Sequence, residues 1–369
     1  MQEGDINLNW KLGVEIELIS PPGVSRYDLA SAIAREYNGE VHRYFHPQVE
    51  PSKVPGTPIF NNLTLAYEVK NNNGEIIAKC VDDLTLQDDC NKSNPPKAGW
   101  YRIVSDESRL IQLLLNQCNP NDSVIDVLKP IAKLFGTELE INNGNMVRVA
   151  DSTGAAIAIA APLPGERERP CELIFPPINE NHFERIESLL KIARSLGYKI
   201  PKEGATHIHF DAKPLESPKT ISNLMRILWK FEDDLSKLVK TNQNCRRLGK
   251  WSLYLYNWTQ DKKFQNMSWE NAKQSLQNYE ITKYCNFNIK NFIHTNLDKY
   301  TFEVRILPVS LKTEDVIEAA GLFEGILNFA ISFPTNSELP TTLNDLIENI
   351  PLSNKLKQIW KDNLIESNL

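Results

Sequence analysis

Polar and apolar residues alternate over residues 10–18, where Val14, Ile16 and Leu18 interleave with Glu15 and Glu17. A period of two predicts a β-strand with one face in the core. The pattern recurs at 206–211, where Ile208 and Phe210 separate His207, His209 and Asp211. It recurs again at 300–307, where Phe302, Val304 and Ile306 flank Glu303 and Arg305, before Pro308 stops the strand. Residues 171–175 predict a further strand, opened by Cys171-Glu172 and ended by Pro176-Pro177. Strands at 65–69 and 75–81 flank Asn71-Asn72-Asn73-Gly74, a hairpin signal because Asn-Gly adopts positive φ readily. Residues 40–62 are rich in Pro and Asn and are expected to form a long loop.

Helical spacing appears after Ser25, at 107–117, 123–135, 181–196, 218–241, 268–277 and 313–331, and again at 342–349 and 353–364. Two short strands are expected near 146–149 and 156–160. Strands mixed with segregated helices predict an α+β fold around a largely antiparallel sheet. The expected organisation is a domain over 1–335 that carries an inserted α/β lobe at about 86–169, followed by a helical segment at 336–369.

Composition narrows the function. The chain has 369 residues, 41% hydrophobic and 24% charged, which is ordinary for a globular protein. A formal charge of −6 argues against a nucleic-acid binder, which carries a basic excess or stripe. Six cysteines lie far apart without a C-x-x-C pair, so reduced thiols are expected rather than a disulfide scaffold or structural zinc. The opening Met1-Gln2-Glu3-Gly4-Asp5 is acidic and lacks an apolar signal core, and no apolar run approaches the roughly 20 residues that span a bilayer. The expectation is a soluble, cytoplasmic protein with no membrane partner; its oligomeric state is not readable.

Side chains at i and i+2 on a strand share a face, about 6.5–7 Å apart. Glu15 with Glu17, His207 with His209, and Glu303 with Arg305 are therefore same-face pairs. Each pair alone fits a solvated sheet face. Together they supply carboxylates and imidazoles for a hard or borderline divalent ion, and a guanidinium fork for a phosphoryl group. Several carboxylates on one face repel unless cations lie between them. The arginine pairs Arg167/Arg169 and Arg246/Arg247 suit bidentate recognition of a substrate carboxylate, and equally suit salt bridges to neighbouring acids. Trp251, Trp258 and Trp269 are expected in a core or helix interface.

In this order, Gly13-Val14-Glu15-Ile16-Glu17-Leu18, Val81-Asp82-Asp83-Leu84-Thr85, Glu172-Leu173-Ile174-Phe175-Pro176-Pro177, Thr206-His207-Ile208-His209-Phe210-Asp211, Lys283-Tyr284-Cys285-Asn286-Phe287-Asn288 and Thr301-Phe302-Glu303-Val304-Arg305 resemble the carboxylate–amine ligase superfamily. That superfamily includes glutamine synthetase, glutamate–cysteine ligase and amidoligase-like proteins, and the chain looks most like the last group. The resemblance implies a curved antiparallel sheet, helices on one side, and ATP with Mg²⁺ or Mn²⁺ on its concave face. It implies metal ligation by Glu15, Glu17, Glu172, Glu303 and His207, with His209 nearer the phosphates and Arg305 facing the γ-phosphate. Asn288 and Tyr284 would shape the nucleotide or substrate pocket. The family's acidic turn falls at Asp83-Leu84-Thr85, with Asp106-Glu107-Ser108 as a rival, and the lobe is longer than the pattern leads one to expect.

The implied reaction joins a small-molecule or peptide carboxylate to an amine through an acyl phosphate made with ATP. Two other classes compete. A metal-dependent hydrolase would use the His-x-His-x-Asp strand to activate water. A non-catalytic module would bind a nucleotide or peptide without turnover.

Overall fold

The computed structural model describes residues 6–54, 57–294, 299–334 and 337–367, with the backbone alone for 51–54 and 57–59; the acidic stretch at residues 1–5 lies outside them. Its strands in chain order are β1 (Leu12–Ile19), β2 (Glu40–Val54), β3 (Thr57–Lys70), β4 (Ile76–Val81), β5 (Tyr101–Ser105), β6 (Glu140–Asn142), β7 (Met146–Ala150), β8 (Ala156–Pro162), β9 (Pro170–Ile174), β10 (Ala205–Asp211), β11 (Phe287–Asn288) and β12 (Thr301–Pro308). The chain divides into two units: residues 1–16, 177–190 and 204–369, and residues 17–176 and 191–203. Antiparallel strands with segregated helices make the fold α+β, as the hydrophobic pattern predicts. Among the described residues no helix is long and apolar enough to cross a membrane.

In the first unit the strands run β11-β12-β10-β1, with antiparallel neighbours. Phe210, Phe302 and Phe287 are buried apolar residues of three successive strands. Phe287 stacks on Phe302 at 6.4 Å and meets Phe323 at 6.0 Å, which docks helix Thr313–Ser332 against this face. Helix Pro218–Leu238 starts at an N-cap, Ser217, whose side chain accepts from Thr220 N, with Pro218 preset for the first turn. Its buried stripe, Ile221, Leu224, Leu228, Phe231 and Leu235, recurs every three or four residues and so faces one way.

In the second unit the order is β9-β4-β3-β5-β8-β7-β6, and β2 pairs with β3. Here one expectation fails. Residues 40–62 are not a loop: β2 pairs with β3 from Glu40↔Lys70 to Val54↔Thr57. Of the prolines that suggested a loop, Pro47 and Pro51 lie in β2, which among the described residues pairs with β3 alone, and Pro58 lies at the start of β3. An edge strand tolerates a missing N–H donor, so proline there does not break the sheet. The helix expected at 123–135 is shorter, Lys129–Phe135, because Ser123 and Asp126 close a turn before it. Strands β5 to β8 extend the sheet beyond β3, and Phe45, Leu63 and Leu65 share one core with Ile103, Ile131 and Val149.

One buried cation ties this unit together. Arg26 is fully buried at the start of helix Arg26–Glu36. Its guanidinium donates to Leu65 O (2.9 Å) and Arg167 O (2.8 Å), lies 3.6 Å from Asp82 Oδ2, and sits over the Trp100 ring at 4.5 Å. Asp82 also accepts from Arg167 Nη2 at 2.8 Å. Two guanidinium groups thus flank one buried carboxylate. Removing one partner of such a pair leaves an uncompensated buried charge and costs about 3–5 kcal/mol. We predict a loss of that size for Arg26→Ala in urea unfolding, without loss of the cooperative transition; a change under about 1 kcal/mol would contradict the assignment.

Candidate active site

Strand register brings the candidate side chains of the first unit together. β1 aligns Glu15 with His207 of β10. β10 aligns His209 with Glu303 of β12, and β12 aligns Glu303 with Asn288 of β11. Residues opposite one another in adjacent strands carry Cβ atoms about 4.5–5.5 Å apart, so such rows converge at their tips.

They do converge. Glu15 Oε2 lies 3.2 Å from His209 Nε2 and 3.6 Å from His207 Nδ1. Glu303 Oε1 lies 3.7 Å from His207 Nδ1 and 3.9 Å from His209 Nε2. Arg305 Nη1 donates to Glu303 Oε1 at 2.6 Å, and Asn288 Nδ2 donates to Glu303 Oε2 at 2.6 Å. His209 Nδ1 lies 3.2 Å from Thr301 Oγ1, which fixes the ring. Asn288 is oriented in turn, because its Oδ1 accepts from Lys290 N at 2.8 Å.

The face is not wet. Glu15 is 7% exposed, Glu303 3%, His207 4% and His209 6%. A solvated strand face would leave carboxylates open to water, and these are not. Burial opposes their ionisation, yet neighbouring charges outweigh it. Burial raises Glu303, while His209, Arg305 and His207 together bring its carboxyl down to about 2. Burial likewise raises Glu15, but His209 and Lys299 hold it well below the usual carboxylate range. His207 is lowered, first by burial and then by the charge of Arg305, which favours the neutral imidazole that a metal requires.

Lys299 carries no pattern in the sequence and was not among the expected residues. Its Nζ donates to Glu15 Oε1 at 2.9 Å. The loop before Thr301 gives no periodic signal, so nothing in the chain announces this lysine. With Arg305 on Glu303, it gives each carboxylate a counter-ion. The repulsion expected between the acids is therefore already relieved by protein cations.

The donor set nevertheless fits a divalent ion. Glu15, His209 and Glu303 each offer one ligand atom, all within 4.8 Å of one another. His209 Nε2 is buried without a hydrogen-bond partner, since the Glu15 oxygen 3.2 Å away lacks hydrogen-bond geometry. A buried polar atom left so is costly unless something else engages it. Carboxylate oxygens with one imidazole suit Mg²⁺ or Mn²⁺.

The other expected residues lie as follows. Tyr284 stacks under Arg247 at 5.1 Å, and Asn286 ties the neighbouring strap down through Gly249 N (3.1 Å) and Glu232 Oε1 (2.7 Å). Arg246 is exposed, next to the half-buried Arg247. Asp211 Oδ1 accepts from Lys213 N at 3.1 Å in a turn. Glu17, Glu172, Asp83, Arg167 and Arg169 belong to the second unit. Glu17 is buried on β1, and Glu172 pairs in register with Val81 on β4. Asp83 is buried and accepts from Thr85 N (2.7 Å) and Thr85 Oγ1 (2.6 Å), whereas Asp106 is exposed. Arg167 binds Asp82 and Asp83 O, and Arg169 binds Ser20 O and Glu166.

A family model described as "Putative amidoligase enzyme" matches residues 8–327, which contain every residue of this cluster. The chain belongs to the amidoligase family. No curated protein and no solved structure matches it. The amidoligase match makes the chain a member of a ligase-type family, whose name points to small-molecule substrates such as a carboxylate and an amine.

One prediction concerns the amidoligase cluster itself. Arg305 depresses His207 after burial does, so removing its charge favours the imidazolium. In chelator-treated Arg305→Ala protein, the His207 titration followed by NMR should shift to higher pH. An unmoved midpoint would mean that the arginine does not act on this ring.

Proposed function

We propose that this amidoligase-family protein is an ATP-dependent carboxylate–amine ligase of the glutamine synthetase and glutamate–cysteine ligase superfamily. One observation carries the reading: two buried carboxylates, two imidazoles and a guanidinium on adjacent strands, with an ammonium from just before β12, converge within 4 Å contacts. The proposal takes Glu15, Glu303 and His209 as the donors for Mg²⁺ or Mn²⁺, with His207 beside the same oxygens. A bound cation would neutralise phosphate oxygens and hold them in line. Arg305 and Lys299 are then the groups that face phosphoryl oxygens, because each is already held at the cluster by a carboxylate.

The chemistry requires this much charge. A carboxylate is a poor electrophile near neutral pH. Attack of its oxygen on the γ-phosphorus of ATP forms an acyl phosphate and releases ADP. The amine nitrogen then attacks the acyl carbon, phosphate leaves, and the amine proton passes to solvent or a base. Phosphoryl transfer asks the protein for alignment and charge neutralisation more than covalent help. Asn288 serves as a positioning residue, since it fixes the second oxygen of Glu303. In nucleotide hydrolases an arginine on the transferring group contributes on the order of 10³–10⁵ in rate, and Arg305 is assigned that place.

Incubation with ATP, Mg²⁺ and pools of carboxylates and amines, read by mass spectrometry, tests the reaction. A ligase yields ADP and an adduct lighter by one water than its two substrates; product formed without ATP would mean a hydrolase or another enzyme. We predict that Arg305→Ala abolishes ADP formation coupled to ligation while the fold survives, as judged by circular dichroism. Turnover like the parent protein's would remove Arg305 from its role. Glu15→Gln and Glu303→Gln should each weaken Mg²⁺–ATP binding in calorimetry; unchanged binding would leave these carboxylates as structural ion-pair partners only.

A further inference from the structure

The first unit holds a second cleft, of about 280 Å³, that the proposed ligase chemistry does not use. It is walled by the end of helix Pro218–Leu238, the end of β12, the first turns of helix Thr313–Ser332, and helix Asn354–Glu366. Four features decide what it suits. Thr206 and Trp360 line it, 2% and 5% exposed, and each has a buried polar atom with no hydrogen-bond partner: Thr206 Oγ1 and Trp360 Nε1. Asp315 and Glu318 line it as well and lie on the same helix.

Each feature asks for a particular group. An indole N–H only donates, so its missing partner is an acceptor. A threonine hydroxyl donates and accepts, and serves either kind of group. The two carboxylates attract a cation; Asp315 has one hydrogen bond on the cleft side, from Ser310 Oγ at 2.7 Å. Glu318 is half-buried, and burial together with the charge of Asp315 raises its carboxyl against the lowering charge of Lys355. The cationic Lys240, which also lines the cleft, is engaged by Glu366 at 3.1 Å. The rest of the wall is mixed, apolar from Leu238, Val239 and Val316 and polar from Ser310 and Asn363.

We propose that this cleft binds a small primary amine that also carries a hydroxyl or carbonyl acceptor, its ammonium on Asp315 and Glu318 and its acceptor on Trp360 Nε1. A metal ion is a poorer match, because the indole N–H of Trp360 only donates and offers a cation no lone pair. The size suits a compact molecule, since the volume lies just under the roughly 300 Å³ at which drug-sized pockets begin. Thr206 adjoins His207 in β10, so an occupant would touch the residue next to the ligase cluster. The site is separate from the metal–nucleotide proposal and stands without it.

The test uses the whole chain and three probes of equal heavy-atom count: aminopentanol, hexylamine and hexanol. Ligand-observed NMR and calorimetry should give saturable binding of aminopentanol, weaker binding of hexylamine and none of hexanol. Trp360→Phe keeps the ring and removes the N–H. It should weaken aminopentanol by about tenfold, the worth of one hydrogen bond in a buried site, and leave hexylamine unchanged. Glu318→Gln should weaken both amines. Absence of saturable aminopentanol binding would mean the cleft holds water only and overturns the proposal. So would equal affinity of the parent protein for aminopentanol and hexylamine, a comparison that needs no variant to fold.

Discussion

The carboxylate of Glu303 is the constraint on which the first unit's site depends. It is 3% exposed, and a bare carboxylate there would be expensive. Its two oxygens are divided between neighbours: Arg305 and the histidines on one side, Asn288 on the other. Each neighbour comes from a different place in the sheet, β12 itself, β10 and β11, so the charge can be satisfied only when the strands hold their register. A slip of one residue would turn Glu303 into the face that Phe302 and Val304 occupy. The polar cluster and the aromatic core are therefore two readings of the same alignment.

The second unit solves a similar problem with opposite emphasis. Asp82 is buried and lies between Arg26 and Arg167, which also donate to the backbone carbonyls of Leu65, Arg167 and Asp83. Both clusters keep buried polar atoms without a hydrogen bond, Arg26 Nη2 and Asp82 Oδ2 here and His209 Nε2 beside Glu303. What differs is the chemistry: around Asp82 the unbonded atoms are a guanidinium and a carboxylate facing each other at 3.6 Å, whereas the Glu303 cluster adds an imidazole nitrogen that can ligate a metal.

Much of this was legible in the chain. Alternation at β1, β10 and β12 marks both the strands and the side chains that share their polar face, because a period of two carries both facts at once. The order of short motifs pointed to the amidoligase family. What the sequence hid has physical causes. Pro47 and Pro51 disguised β2, since the chain does not say which strand will be an edge. The two-residue strand β11 is too short to show a period, although it carries Asn288. Lys299 reaches Glu15 from 284 positions away, and no local pattern encodes such a contact. The burial of Glu15 and Glu303 was equally invisible, because alternation looks the same whether the polar face meets water or protein.

The account rests on the claim that Glu15, His209 and Glu303 form one cation site. Anomalous diffraction from crystals grown with Mn²⁺ and a non-hydrolysable ATP analogue tests it most directly. The account predicts a manganese peak within ligand distance of all three side chains, roughly 2.0–2.6 Å for oxygen donors. A nucleotide bound elsewhere, with no manganese between these residues and Lys299 still on Glu15, would contradict it.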